Sequence, residues 1–210
     1  MSPKEFLGFV KKELDSKKEF EWWKLLEGLE NAGQKISNSR KGIVEENVHV
    51  DGNLEAAEGA IVKSGTRIEG NAYIGRNSII GPNAYLRKDV IIGEGCHVSN
   101  SEIKNSVILN NSNVPHYSYV GDSIIGENVN FGAGAKIANL RFDNKTVKVS
   151  IKGKKIDSGK RKLGALVNSG SKIGINACIN CGIIIGKNCF VKPGAFVEKN
   201  LPGKIHSGDE

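Results

Sequence analysis

From Val44 to Val98 every sixth residue is aliphatic: Val44, Val50, Ala56, Val62, Ile68, Ile74, Ile80, Leu86, Ile92 and Val98, with no slip in phase. The same register returns at Ile125, Phe131 and Ile137, and again at Ile173, Ile179, Ile185, Val191 and Val197. Neither a strand period of two nor a helical period of 3.6 sustains such a spacing. The anchor is often followed by Gly, as at Ile74-Gly75, Ile80-Gly81 and Ile185-Gly186. The fourth residue after it is usually small, as at Ala60, Thr66, Ala72, Ser78, Ala84, Cys96, Ala177, Cys189 and Ala195. One large and one small inward position per hexad describe short strands stacked into a prism with Gly, Asn and Asp at its corners. The hexads predict a mainly β chain, a left-handed parallel β-helix.

A solenoid buries its core along its axis, and a chain of 210 residues, 39% hydrophobic, is long enough to do so. Aromatics make up only 6%, which suits a narrow prism. The net charge of +7 is concentrated locally. Polyphosphate ligands fit such a local excess, whereas the interleaved aromatics of a single-stranded nucleic-acid binder are absent. Nucleic acid is therefore not an expected partner. The N-terminus opens no apolar segment of signal or membrane-spanning length, so the expectation is a cytoplasmic protein without a membrane partner. Cys96 and Cys189 fall on the small inward position and read as core. Cys178 and Cys181 form a lone C-x-x-C with no second ligand pair, so no metal is expected.

Residues 1–40 do not follow the hexad and read as a helical segment, with the β-helix over 41–210. Ser2-Pro3-Lys4-Glu5 has the form of a capping box with Pro at the first helical position, and Phe6, Val10 and Leu14 follow on one face. Ser16-Lys17-Lys18-Glu19 repeats the pattern before Phe20, Trp22, Trp23, Leu25, Leu26 and Leu29, with Asn31-Ala32-Gly33 as a stop. Helices this short need a surface to pack on. The Trp pair is expected to cap an open end of the solenoid.

The hexad slips between Ser101 and Asp122 and breaks between about 138 and 172. The break carries Arg141, Lys145, Lys148, Lys152, Lys154, Lys155, Lys160, Arg161 and Lys162, and the alternation from Val147 to Lys154 predicts a β-hairpin arm. A solvated basic arm, phosphate recognition and clasping of another subunit all fit this composition.

The first slip brings one imidazole, two phenols and a carboxylate together in Asn113-Val114-Pro115-His116-Tyr117-Ser118-Tyr119-Val120-Gly121-Asp122. A local loss of core pattern is where a site is expected. Imidazole titrates near neutrality, so His116 suits proton abstraction from a nucleophile; a turn histidine bonded to a neighbour is the plainer reading.

This cluster is one of five words: Gly81-Pro82-Asn83-Ala84-Tyr85-Leu86-Arg87, Glu102-Ile103-Lys104, the His116 to Asp122 segment, Ile125-Gly126-Glu127-Asn128-Val129-Asn130-Phe131-Gly132-Ala133-Gly134, and Ala138-Asn139-Leu140-Arg141-Phe142-Asp143. In their order and spacing the chain resembles the acetyltransferase half of bifunctional sugar-1-phosphate nucleotidylyltransferase/amino-sugar-1-phosphate N-acetyltransferases, especially archaeal-type members. Weaker similarity runs from the Trp22-Trp23-Lys24-Leu25-Leu26 helix to the C-terminus. The resemblance implies a left-handed β-helix homotrimer with acetyl-CoA as co-substrate between adjacent chains and no metal in acetyl transfer. It implies His116 as general base toward the sugar amine. It further implies Arg87 and Lys104 on the sugar phosphate, Tyr119 and Asn130 on the sugar, Asn139 at the reacting acetyl or amine group, and Ala133 against the pantetheine arm.

Three departures qualify what is carried over. After Asn139 bacterial members continue with an aromatic residue, an acid and Gly, whereas this chain has Leu140-Arg141-Phe142-Asp143, as archaeal-type members do; both glucosamine 1-phosphate and galactosamine 1-phosphate fit. Ile175 stands where bacterial members carry a Ser near the cofactor. Nothing before Val44 contains the Gly-rich nucleotide loop of the nucleotidyltransferase half, so this sequence is not expected to transfer nucleotides by itself; a free-standing acetyltransferase and one that works with a separate nucleotidylyltransferase as partner both fit. A non-catalytic trimeric regulatory or scaffold subunit is the alternative. A zinc-dependent γ-type carbonic anhydrase is disfavoured, because His49, His97 and His206 form no H-x4-H pair.

Overall fold

The computed structural model describes residues 1–16 and 19–203 and the short strand His206–Ser207. The hexads build the predicted three-sided solenoid of parallel strands, most of two or three residues and two longer ones that each turn a corner between faces. Face 1 stacks His49–Asp51, Arg67–Glu69, the first halves of Tyr85–Ile92 and Glu102–Ile108, then Tyr119–Gly121, Lys136–Ile137, Cys178–Ile179 and Phe196–Val197. Face 2 runs from Ser39–Arg40 through Leu54–Ala56, Ala72–Ile74, the second halves of the two long strands, Ile124–Ile125 and Leu166–Val167 to Ile184–Ile185. Face 3 is the nine-stranded stack from Ile43–Val44 to His206–Ser207.

The anchors are the core. Val62, Ile68, Ile74, Ile80, Leu86, Ile92 and Val98 are fully buried in one continuous cluster with the small residues Ala60, Ala72, Ala84 and Cys96. Burial in this cluster pushes the Cys96 thiol up to about 11, as expected of a core cysteine rather than a reactive one.

The slip around Ser101 to Asp122 is a change of step. Ile79 pairs with His97, 18 residues on, but Leu86 pairs with Ile103 at 17 and Val98 with Val114 at 16. Corners tightened by one residue therefore shift the phase while Ile103, Ile108, Val114 and Val120 stay fully buried. The reading that the His116 segment has lost its core pattern is corrected accordingly.

Helix α1 (Pro3–Ser16) opens on the predicted capping box: Ser2 N donates to Glu5 Oε2 at 2.8 Å, and Glu5 N to Ser2 Oγ at 3.3 Å. The second capping pattern includes residues 17 and 18, which lie outside the described residues. A 3-10 turn Trp22–Lys24 leads into helix α2 (Leu25–Gly33). These helices do not cap an end of the solenoid; they lie along face 2. Its outward side chains, Tyr73, Ile91, Val107, Ile124, Leu166 and Ile184, form one buried cluster with Phe6, Val10, Leu14, Trp22, Trp23 and Leu29. An apolar outer face calls for a cover, and the amphipathic helices supply it.

The chain leaves the solenoid after Ala138 and rejoins it at Leu163, so Ile125 and Val167 are partners 42 residues apart. The predicted hairpin forms from Lys148–Ile151 and Lys154–Asp157, joined by Lys152-Gly153 with both φ positive. Val147, Val149 and Ile151 are buried with the helices on face 2, while Lys148, Lys152, Lys154 and Lys155 face solvent. The arm is thus solvated on one side and structural on the other.

Candidate active site

Face 1 carries a polar cluster between two corners. Its register places Glu69, Arg87, Lys104 and Gly121 in one outward column, and Arg67, Tyr85, Glu102, Tyr119 and Lys136 in the next. Arg87 and Lys104 are therefore adjacent along the stack, with backbones about 4.8 Å apart. Two cations at that spacing suit a phosphate dianion. Arg87 Nη1 donates to Glu102 Oε1 at 2.8 Å, its guanidinium lies 5.4 Å from the Tyr85 ring, and its side chain keeps 41% exposure. Lys104 is more enclosed, at 14%, with Nζ 2.8 Å from Asp122 Oδ2.

Asp122 is the hub. Its Oδ2 also accepts Asn139 Nδ2 at 2.6 Å, and its Oδ1 accepts Asn105 Nδ2 at 2.8 Å. The Asn139 amide in turn donates to Tyr119 Oη at 3.0 Å. Burial, with Glu102 and Asp122 nearby, raises the Tyr119 phenol above its ordinary value, so the hydroxyl stays protonated. Gly121 makes the cluster fit: a Cβ there would lie 2.5 Å from Tyr119 Oη and 2.8 Å from Asn139 Nδ2.

His116 occupies the corner between faces 3 and 1. The corner positions along this edge are Asn47, Gly65, Asn83, Asn100, Tyr117, Gly134, Asn176 and Gly194, all with positive φ. Asn, Gly and His enter that conformation comparatively readily, as His116 does at φ 65°; the bulky Tyr117 does so under strain. The ladder fixes the corner, with His116 N donating to Ser99 O at 3.1 Å and Gly134 N to His116 O at 2.8 Å. His116 and Tyr117 are exposed, and the neighbouring coil presents exposed Ala133 directly beside them.

The structure thus brings Arg87, Lys104, Tyr119 and Asn139 together on face 1, and His116 and Ala133 together on its bordering corner. Asn130 is not with them: it is exposed on face 3, in register between Asn113 and Lys172. Asp122 and Glu102 were named in the sequence words without a role and prove to be the carboxylates that hold the cations. His97, weighed only as a zinc ligand, is half-buried on face 3; burial, the Lys63 ammonium and nearby His116 hold its imidazole below the ordinary value. Among the described residues no group of three or more His, Cys, Asp or Glu side chains is arranged to hold a metal ion, and no helix is long and apolar enough to cross a membrane. A cavity of about 1060 Å³ opens between the arm and the last coils, lined by Arg141, Lys148, Lys155, Cys181, Phe196 and Lys199 among others.

This fold and repeat define a hexapeptide-repeat, left-handed β-helix protein. Residues 169–199 match the hexapeptide repeat of succinyl-transferase, and residues 62–161 match the GMPPB C-terminal domain. The chain is 52% identical over 142 residues to a bifunctional sugar-1-phosphate nucleotidylyltransferase/acetyltransferase of Sulfurisphaera tokodaii, covering 67% of this chain and 35% of that protein. It is 43% identical over 154 residues to the bifunctional protein GlmU of Methanocaldococcus jannaschii, covering 73% of this chain and 38% of that protein. These relatives bear out the resemblance read from the sequence words. The chain spans little more than a third of the length of either. Among solved structures, the UDP-N-acetylglucosamine acyltransferase of Francisella novicida shares the fold at a TM-score of 0.53 and 15% identity, over 77% of this chain and 64% of that one. The polysialic acid O-acetyltransferase OatWY does so at 0.54 and 14%, over 76% and 81%.

Proposed function

We propose that this chain is an acetyl-CoA-dependent N-acetyltransferase acting on a hexosamine 1-phosphate, glucosamine 1-phosphate or galactosamine 1-phosphate, as a cytoplasmic homotrimer. The observation that carries the reading is the grouping on face 1 of two stacked cations with a phenol and an amide held by one buried carboxylate. A relative named for sugar-1-phosphate nucleotidylyl transfer and acetyl transfer, 52% identical over 142 residues, supports it.

In this reading Arg87 and Lys104 hold the sugar phosphate, and Tyr119 lies against the sugar. His116, on an exposed corner, accepts the proton that the sugar amine loses as its nitrogen attacks the thioester carbonyl. The C–N bond forms, the C–S bond breaks, and CoA leaves as the thiol or thiolate. Ala133, beside His116, meets the pantetheine arm. Asn130, on face 3, is a sugar contact only if another chain's face 1 lies against it, which the trimer supplies. Among the described residues the N-terminal helices and arm pack on the outer side of face 2.

The test is release of free thiol from acetyl-CoA with each hexosamine 1-phosphate offered separately and His116→Ala alongside. Turnover with one sugar phosphate, lost at least a hundredfold in His116→Ala while the assembly stays intact, is the expected result. Full activity in His116→Ala would remove the general-base role. Absence of turnover with either sugar would overturn the substrate assignment.

A further inference from the structure

We infer that Asp122 is a positioning residue that fixes which end of the Asn139 amide faces the substrate, so that the site presents an acceptor to the sugar amine. The inference rests on the proposed N-acetyltransferase reading and adds to it the basis of amine selection.

Asp122 stands at a corner with φ 50° and is 4% exposed. Its backbone is clamped, N to Lys104 O at 2.8 Å and Gly164 N to its own O at 2.9 Å. Its carboxylate receives three side-chain donors, from Lys104, Asn105 and Asn139. Ionised carboxylate only accepts, so the atom that Asn139 turns toward it must be the NH2 group. The two hydrogens of that group are then spent, one on Asp122 and one on Tyr119 Oη. What remains for a ligand is Oδ1, an acceptor. Tyr119 cannot impose this orientation alone, because a phenol both donates and accepts.

An amine or ammonium on the sugar has N–H donors to offer Oδ1. A hydroxyl in the same place is less discriminating, since it can donate to Oδ1 or accept from a reversed NH2. In Asp122→Asn the residue at 122 can offer an NH2 of its own, Asn139 can reverse, and its NH2 would then confront the ammonium.

The experiment measures equilibrium binding of the turned-over hexosamine 1-phosphate and of its 2-hydroxyl counterpart, glucose 1-phosphate or galactose 1-phosphate, to the full chain. Wild type, Asp122→Asn and Tyr119→Phe are compared, with turnover followed in parallel. The expected result is a wild-type preference for the amino sugar that falls at least fivefold in Asp122→Asn and survives in Tyr119→Phe, even where Tyr119→Phe weakens both ligands. Equal weakening of both sugars by Asp122→Asn would overturn the inference and leave Asp122 a structural residue. Should Asp122→Asn fail to fold, Tyr119→Phe still decides, because loss of the preference there would assign the orientation to Tyr119. Wild-type turnover with an unchanged preference in Asp122→Asn defeats the inference alone. A wild-type chain that acetylates neither hexosamine phosphate defeats the functional reading, and the inference with it.

Discussion

The side chains on face 1 owe their chemistry to one close approach. Tyr119 and Asn139 come from successive coils and converge over Gly121, where no Cβ stands between them. Gly121→Ala would insert a methyl group 2.5 Å from Tyr119 Oη and 2.8 Å from Asn139 Nδ2, well inside van der Waals contact. The phenol and amide must move, and a shift of about 1 Å at groups that position a reactant costs on the order of a hundredfold in rate. We expect Gly121→Ala to lower kcat/KM for acetyl transfer by tenfold or more, with a melting temperature within a few degrees of wild type; an unchanged kcat/KM would show that the substrate does not contact this pair. That Arg87, Lys104, Tyr119 and Asn139 belong together was legible from words of fixed order, and the structure groups them on face 1. The role of Asp122 was not, because it depends on Asn139 arriving beside it one coil later, a distance set by a corner shortened to five residues.

At the scale of elements, α2 meets the solenoid where Gly33 approaches the Asp89 corner so closely that a Cβ would lie 2.4 Å from Asp89 Oδ1. Asp89 is 8% exposed and accepts Asn71 Nδ2 at 3.0 Å. Burial holds its carboxyl above the ordinary carboxylate value of 3.8. A folded pKa raised above the unfolded one means that the stabilising form is the neutral acid. Its contribution is complete below about pH 4 and is lost as pH rises through the folded pKa. At neutral pH the ionised carboxylate is therefore a liability, and Asp89→Asn removes the charge while keeping the shape and a partner for Asn71. The expected gain is about 1 kcal/mol or less at pH 7, a rise of a few degrees in melting temperature, vanishing near pH 3. An equal gain at both values would trace it to packing. The capping box at Ser2 and Glu5 and the hairpin after Val147 were readable because each is local. The placement of the helices was not: the covered face is made by the residue just before an anchor, at Tyr73, Ile91, Val107, Ile124, Leu166 and Ile184, and that column aligns only once the sixteen- and seventeen-residue coils are in register.

In the whole molecule these pieces make a solenoid with two different kinds of surface. The anchors form one core inside the prism, and the outward column of face 2 forms a second with the helices and arm. Polar ties border the second: Lys11 pairs with Glu127, Lys187 Nζ donates to Asp15 Oδ1 at 2.9 Å, and Asn200 Nδ2 donates to Ser150 O at 2.8 Å. The exposed ion pairs add little, so the apolar contact carries the attachment. Trp22 and Leu29, each fully buried, are worth roughly 2–3 kcal/mol apiece. Removing residues 1–36 would leave the prism's backbone ladder and inner core intact while uncovering a continuous apolar strip along face 2. Such a strip drives association. The truncated chain is expected to keep its far-ultraviolet β signature and a cooperative melt at low concentration, yet to scatter light increasingly with concentration where the full chain does not. Loss of the β signature at every concentration would instead make the helical layer part of the solenoid's folding unit, and the two cores a single cooperative one.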